Sequence, residues 1–174
     1  MIVVNTTVLS NLARVEKLHL LLEFFGGVLV PLPVYEEVLR GREAGYTFLE
    51  AVEEFLEEEG VTLAALSGEE RGLFRDLQGR VDPGEAAGIA IARNQGLLFL
   101  SDDRVARQVA EEHGVEISGT LGLLKLAVDE GNLTREEAQE ILESLIAAGY
   151  RAPLHTIEEL WEEEEDEKNE SPKT

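Results

Sequence analysis

Residues 1–12 read MIVVNTTVLSNL. Ile2–Val4 holds no polar side chain, and it stops abruptly at Asn5-Thr6-Thr7. A strand with one wet face alternates apolar and polar residues, whereas a strand covered on both faces is apolar throughout. The opening run is therefore read as a fully buried strand. The same signature recurs at Val28–Val30, Val61–Leu63, Leu97–Leu100 and Val115–Ile117. Short buried strands separated by helical stretches imply a parallel sheet with helices on both faces. The expected fold is α/β, a three-layer α/β/α sandwich around five mainly parallel strands.

The intervening segments carry helix signals. Leu12 to Phe25 has leucines at helical spacing, and Pro33 stands where proline suits a first turn. Residues 45–59 read as a helix closed by Gly60. Ser67 with Glu70, and Asp82 with Glu85, have the capping-box form. Further helices are expected over 104–112, 120–130 and 135–148. The domain is expected to span 1–155. Residues 156–174 form an acidic extension, helical at its start, where Thr156 and Glu159 make a third capping pattern and Leu154, Ile157, Leu160 and Trp161 keep helical spacing; its remainder has the composition of a disordered segment.

The chain has 174 residues, 44% of them hydrophobic, and no cysteine. That allows a sizeable core and excludes disulfides, zinc–thiolate sites and a thiol nucleophile. A cytoplasmic setting is the expectation, and no apolar run approaches a membrane span. The formal charge is −21. The last seventeen residues, EELWEEEEDEKNESPKT, contribute −7, which leaves −14 in the body. So acidic a surface does not coat nucleic acid through basic patches, although a bound divalent ion would invert the local charge.

In parallel α/β sheets the site lies beyond the carboxyl ends of the strands. Asn5 follows the first strand, and Ser101, Asp102 and Asp103 follow the fourth. Two glutamates join them. Glu37, on the helix opened by Pro33, lies about 60° round from Val34 and so at the rim of the apolar stripe, while Glu36 points farther out. Glu85 shares a face with Ile89 and Ala92 on a helix almost bare of charge. Each has a plain structural reading as well: an ordinary amphipathic glutamate, a capping-box glutamate, an N-cap aspartate. Together, carboxylates converging without basic partners would repel unless a hard cation sat among them, and oxygen ligands suit Mg²⁺ or Mn²⁺. His19, His113 and His155 have no ligand spacing. No phosphate-binding glycine loop or GxSxG elbow occurs.

Five stretches in this order, VVNTTVLSNLARV, VPLPVYEEV, DPGEAAGIAIA, LSDDRVARQVAEEHG and GTLGLLKLAVDEG, resemble the PIN-domain family of Mg²⁺-dependent ribonucleases, and most closely a subgroup with asparagine in the first motif. The likeness covers about residues 2–150. It implies a metal site of Asn5, Glu37, Glu85 and Asp103, with Asp102 as the alternative to Asp103. Thr6 and Thr120 are implied as supporting residues. Asn5 stands where the family usually has aspartate, so this set carries −3 rather than −4. Arg14, Arg104 and Arg107 are the candidates for phosphate contacts. The implied activity is hydrolysis of RNA by Mg²⁺- or Mn²⁺-activated water, with Glu37, Glu85 and Asp103 catalytic. Implied partners are an RNA substrate, an antitoxin protein and a second copy of the chain. A catalytically weak PIN-like module that binds nucleic acid or protein is the alternative, favoured by Asn5 and the acidic charge.

Overall fold

In the computed structural model, which describes residues 1–162, five strands form one sheet. They are β1 (Ile2–Val4), β2 (Val28–Pro31), β3 (Val61–Ala64), β4 (Leu98–Leu100) and β5 (Ile117–Ser118). Their order is β3-β2-β1-β4-β5, and every pairing is parallel. The sheet is thus wholly rather than mainly parallel. Val3, Val4, Val28 and Val30 are all 0% exposed, so the central strands are covered on both sides as their composition demands.

Helices α1 (Thr6–Arg14), α2 (His19–Phe25), α3 (Leu32–Glu43) and α4 (Glu50–Leu56) connect β1 to β2 and β2 to β3. Helices α5 (Glu70–Leu77) and α6 (Pro83–Gln95) carry the chain from β3 to β4, and α7 (Arg104–Glu112) leads to β5. Right-handed crossovers put these two sets on opposite faces, because the strand order runs one way from β1 to β3 and the other way from β4 to β5. Leu77, Ala86, Ile89, Val109 and Ala110 from α5, α6 and α7 pack with Val3, Leu29 and Phe99 of one face. Gly88 lets α6 lie close on that face, since a β-carbon there would collide with the Phe99 ring.

Three expectations change in detail. The leucine-spaced stretch from Leu12 to Phe25 is two helices rather than one. Glu16 breaks it with a left-handed φ of 58°, and the Lys17 N–H turns back to the Leu12 carbonyl at 2.8 Å. The 45–59 helix is a 3₁₀ turn at Thr47–Leu49 followed by α4. The fifth strand starts at Ile117, because the Val115 N–H is spent on the Ala110 carbonyl at the end of α7, 2.9 Å away.

The chain divides into two compact units, Met1–Thr120 and Leu121–Thr174. Helix α8 (Thr120–Asp129) leads into the second, which continues with α9 (Arg135–Ala147). Thr134 and Glu137 cap α9 reciprocally at 2.8 and 3.1 Å. The described start of the extension, through Glu162, is pinned within this unit. Ile157 is buried and donates its N–H to Gln139 at 2.8 Å. The Trp161 indole donates to Asp129 at 2.8 Å, with Lys125 and Arg135 over its ring. The acidic run after Glu162 lies outside the described residues. Among the described residues no helix is long and apolar enough to cross a membrane.

Candidate functional site

The strand order reverses between β1 and β4, so the carboxyl ends of these neighbours form the topological switch point where α/β folds bind ligands. The pairing of Val4 with Leu100 brings Asn5 and Ser101 side by side. The Asn5 N–H extends the ladder to the Leu100 carbonyl at 3.1 Å. Asn5 is 2% exposed and Ser101 0%. The Asn5 amide spans two elements. Its Oδ1 caps α1, accepting from the Val8 N–H at 3.1 Å and the Thr7 hydroxyl at 2.8 Å, and its Nδ2 donates to Ser101 Oγ at 2.8 Å.

Glu37 projects from α3, half-buried, with Val34 and Val38 fully buried beside it and Glu36 exposed. The Thr6 hydroxyl donates to Glu37 Oε2, and the Gly84 N–H donates to Oε1 at 3.1 Å. That N–H belongs to the first turn of α6, where backbone donors lack helical partners. Glycine is required for the approach: a β-carbon at residue 84 would stand 2.8 Å from Glu37 Oε1 and 3.0 Å from Val34 Cγ2.

Glu85, one residue on, is 8% exposed and accepts the Asp82 N–H at 3.3 Å. Burial pushes its carboxyl up to about 7, and the charges of Asp103, Asp82 and Glu37 add to the rise against that single backbone hydrogen bond. Asp103 caps α7 through Oδ1, which accepts the Ala106 N–H at 2.8 Å, and its own N–H donates to Ser101 Oγ at 3.1 Å. Glu37, Glu85 and Asp103, from three separate elements, thus share one electrostatic neighbourhood. None of them pairs with Lys or Arg among the described residues.

Asp102 is used differently. Its Oδ1 accepts the Thr120 N–H at 2.7 Å, and its Oδ2 accepts the Thr120 hydroxyl at 2.5 Å and the Asn11 amide at 2.8 Å. The carboxylate ties Thr120 to the end of β4 and to α1, with both oxygens occupied.

Among the described residues, no three His, Cys, Asp or Glu side chains stand close enough to close round a metal ion as they lie. Each carboxylate is instead turned to a donor of the protein. Magnesium needs no closed cage, because it keeps several waters and takes one or two carboxylates. The donor set is all oxygen, none of the three carboxylates is paired with Lys or Arg among the described residues, and the Glu85 carboxyl is raised first by burial and then by its acidic neighbours. Such a set fits a hard divalent cation.

The arginines are spread. Arg104 is exposed in the first turn of α7, and the Arg107 guanidinium comes within 3.5 Å of where a β-carbon on Gly119 would sit. Arg14 lies about 12 Å along α1 from Thr6, its guanidinium 4.0 Å over the Phe48 ring. Two contributors are not marked by the sequence: Gly84 and Asn11, which acquire roles only through partners distant in the chain. Ser101 is placed at the site by its position after the fourth strand, but its role as acceptor from Asn5 and Asp103 is visible only in the structure.

A protein-family model described as "DUF3368: PIN domain" matches residues 1–165. No curated protein matches the chain.

Proposed function

The chain belongs to the PIN-domain family, and from that premise we propose that it is a metal-dependent endoribonuclease hydrolysing RNA phosphodiester bonds. PIN domains are a nuclease-type fold and generally use divalent metal ions. The observation that carries the reading is the meeting of Glu37, Glu85 and Asp103 at the switch point with no basic partner among the described residues. Those three residues would hold Mg²⁺ or Mn²⁺. Bound there, the ion would lower the pKa of a coordinated water and stabilise charge developing on the phosphate.

The side chains prepare that chemistry. Thr6 and Gly84 hold both oxygens of Glu37. The capping bond from Ala106 fixes Asp103. A Glu85 carboxyl near 7 exchanges its proton around neutral pH, where general acid–base groups work best. Arg104 and Arg107 on α7 supply positive charge for phosphate oxygens beside the acidic cluster. The finer reading makes the chain the toxin of a toxin–antitoxin pair, a homodimer acting in the cytoplasm. It rests on the resemblance of the five motifs.

Asn5 favours a second reading, a PIN-like module that binds RNA or protein without cleaving. It puts a neutral amide at the first acidic position of the family, on a chain of charge −21. One experiment separates the two. Mg²⁺ or Mn²⁺ should raise the melting temperature by mass action on the folded state, and RNA incubated with the protein and Mn²⁺ should be cut. Glu85→Gln and Asp103→Asn should abolish both effects. Metal stabilisation with intact RNA would support the binding module. Neither effect in the unaltered chain would sink the nuclease.

A further inference from the structure

We infer that Asn5 is a positioning residue for Asp103, acting through Ser101, and that its amide offers the cation no oxygen; this deepens, and rests on, the metal reading above. An amide oxygen has two lone pairs. On Asn5 both are taken, by the Val8 N–H at 3.1 Å and the Thr7 hydroxyl at 2.8 Å. These two donors also settle which end of the amide is oxygen. The other end is a donor, directed at Ser101 Oγ 2.8 Å away.

Ser101 passes the constraint on. Its buried hydroxyl oxygen accepts a second hydrogen bond, from the Asp103 N–H at 3.1 Å. The backbone is thereby fixed where it leaves β4 and enters α7. Asp103 Oδ1 is then committed to Ala106, and among the described residues Oδ2 accepts no hydrogen bond. That is the oxygen left for a cation. Aspartate at position 5 would cap α1 equally well, but it could not donate to Ser101. What distinguishes asparagine here is its donor end, not a weaker ligand.

The test is NMR of the full ¹³C,¹⁵N-labelled chain as MgCl₂ is added. Four side-chain carbonyl carbons are followed: those of Asn5, Glu37, Glu85 and Asp103. The three carboxyl carbons should move together and saturate, while the Asn5 carbon stays in place. Ser101→Ala should weaken the Mg²⁺ midpoint by about tenfold, as loss of support behind a metal ligand does. Asn5→Ser keeps a capping oxygen for α1 and removes the donor, so it should weaken the midpoint alike. The double variant should be no worse than either. Midpoints are read at a temperature where each variant keeps its native spectrum. A purely structural role would lower melting temperatures and leave the midpoints unmoved, and that result overturns the inference. So does an Asn5 carbon that shifts with the carboxyls. If all four carbons are silent in the unaltered chain, the metal reading itself fails and takes this inference with it.

Discussion

Glu70 and Glu85 are both buried, 3% and 8% exposed, and both complete a capping-box pattern, with Ser67 and with Asp82. Their electrostatics are opposite. At Glu70 burial pushes the carboxyl up, but the Ser67 N–H at 2.6 Å, the Gln95 amide at 3.3 Å, the Ser67 hydroxyl and the Asn94 amide at 3.2 Å outweigh it, and the net shift is below the ordinary value of 4.5. At Glu85 burial acts with one backbone donor against it and three acidic neighbours beside it, and the carboxyl rises to about 7. The two sit at opposite ends of α6. One ties the helix's C-terminal end to the start of α5, and the other stands beside Asp103 and Glu37 near the switch point. The same local motif is a fastener where distant amides meet it and a poised acid where distant carboxylates do.

The sharpest way to break this comparison is to neutralise each glutamate in turn. Glu85→Gln relieves a carboxyl that is costly to charge, so in EDTA at pH 8 it should stabilise the chain by roughly 3 kcal/mol at most, from about 1.36 kcal/mol per pKa unit. Glu70→Gln replaces an acceptor with a donor against the Asn94 and Gln95 amides, and should destabilise by about 2 kcal/mol. Urea denaturation measures both, and equal signs would erase the distinction.

The pH dependence sharpens it further. The raised Glu85 pKa means that the folded chain holds a proton that the unfolded chain has released. Its contribution is fully present below 4.5 and lost as pH rises to about 7. The depressed Glu70 pKa works the other way: its contribution is present above 4.5 and lost as pH falls through the lowered value. Stability curves should therefore decline less steeply between 4.5 and 7 in Glu85→Gln, and lose Glu70's share of the acid limb below 4.5 in Glu70→Gln. A Glu85→Gln curve that declines as steeply as the parent's would remove Glu85 as the cause. The smallest effect is expected from Asn94→Ala. It deletes one donor to Glu70 at a cost of about 1 kcal/mol and should raise the Glu70 pKa, measurable by carboxyl ¹³C titration.

Much of the fold is legible in the amino-acid sequence. Ile2–Val4 and Val28–Val30 announce buried strands because no solvent-facing strand is so uniformly apolar; Val61–Leu63 reads the same way but is corrected by the structure, since β3 is an edge strand and leaves Thr62 and Leu63 exposed. The helix starts next to Pro33 and at Pro83 follow from proline and capping-box chemistry. The break at Glu16 and the use of Val115 to close α7 are not legible there, since both depend on single backbone hydrogen bonds within an otherwise suitable pattern. The candidate site is half legible. Asn5, Asp102 and Asp103 are conspicuous as polar residues at strand ends. The sequence leaves Asp102 and Asp103 as alternatives, and only their partners separate them: Thr120 and Asn11 take both oxygens of the first, whereas the second keeps one.

By itself, then, the sequence determined that the central strands β1 and β2 are buried, where several helices begin, and that acidic side chains stand at strand ends. Those properties are local, written in periodicity and in residues three or four apart. Tertiary structure alone decided that β1 lies against β4, which makes their ends the switch point, and that the donor end of Asn5 meets Ser101. It also decided that Glu85 faces Asp103 and Glu37 while Glu70 faces Asn94 and Gln95. Charge interactions depend on distance and on the medium between the groups, so the character of a buried glutamate is set by neighbours that only the folded sheet and its helices bring within reach.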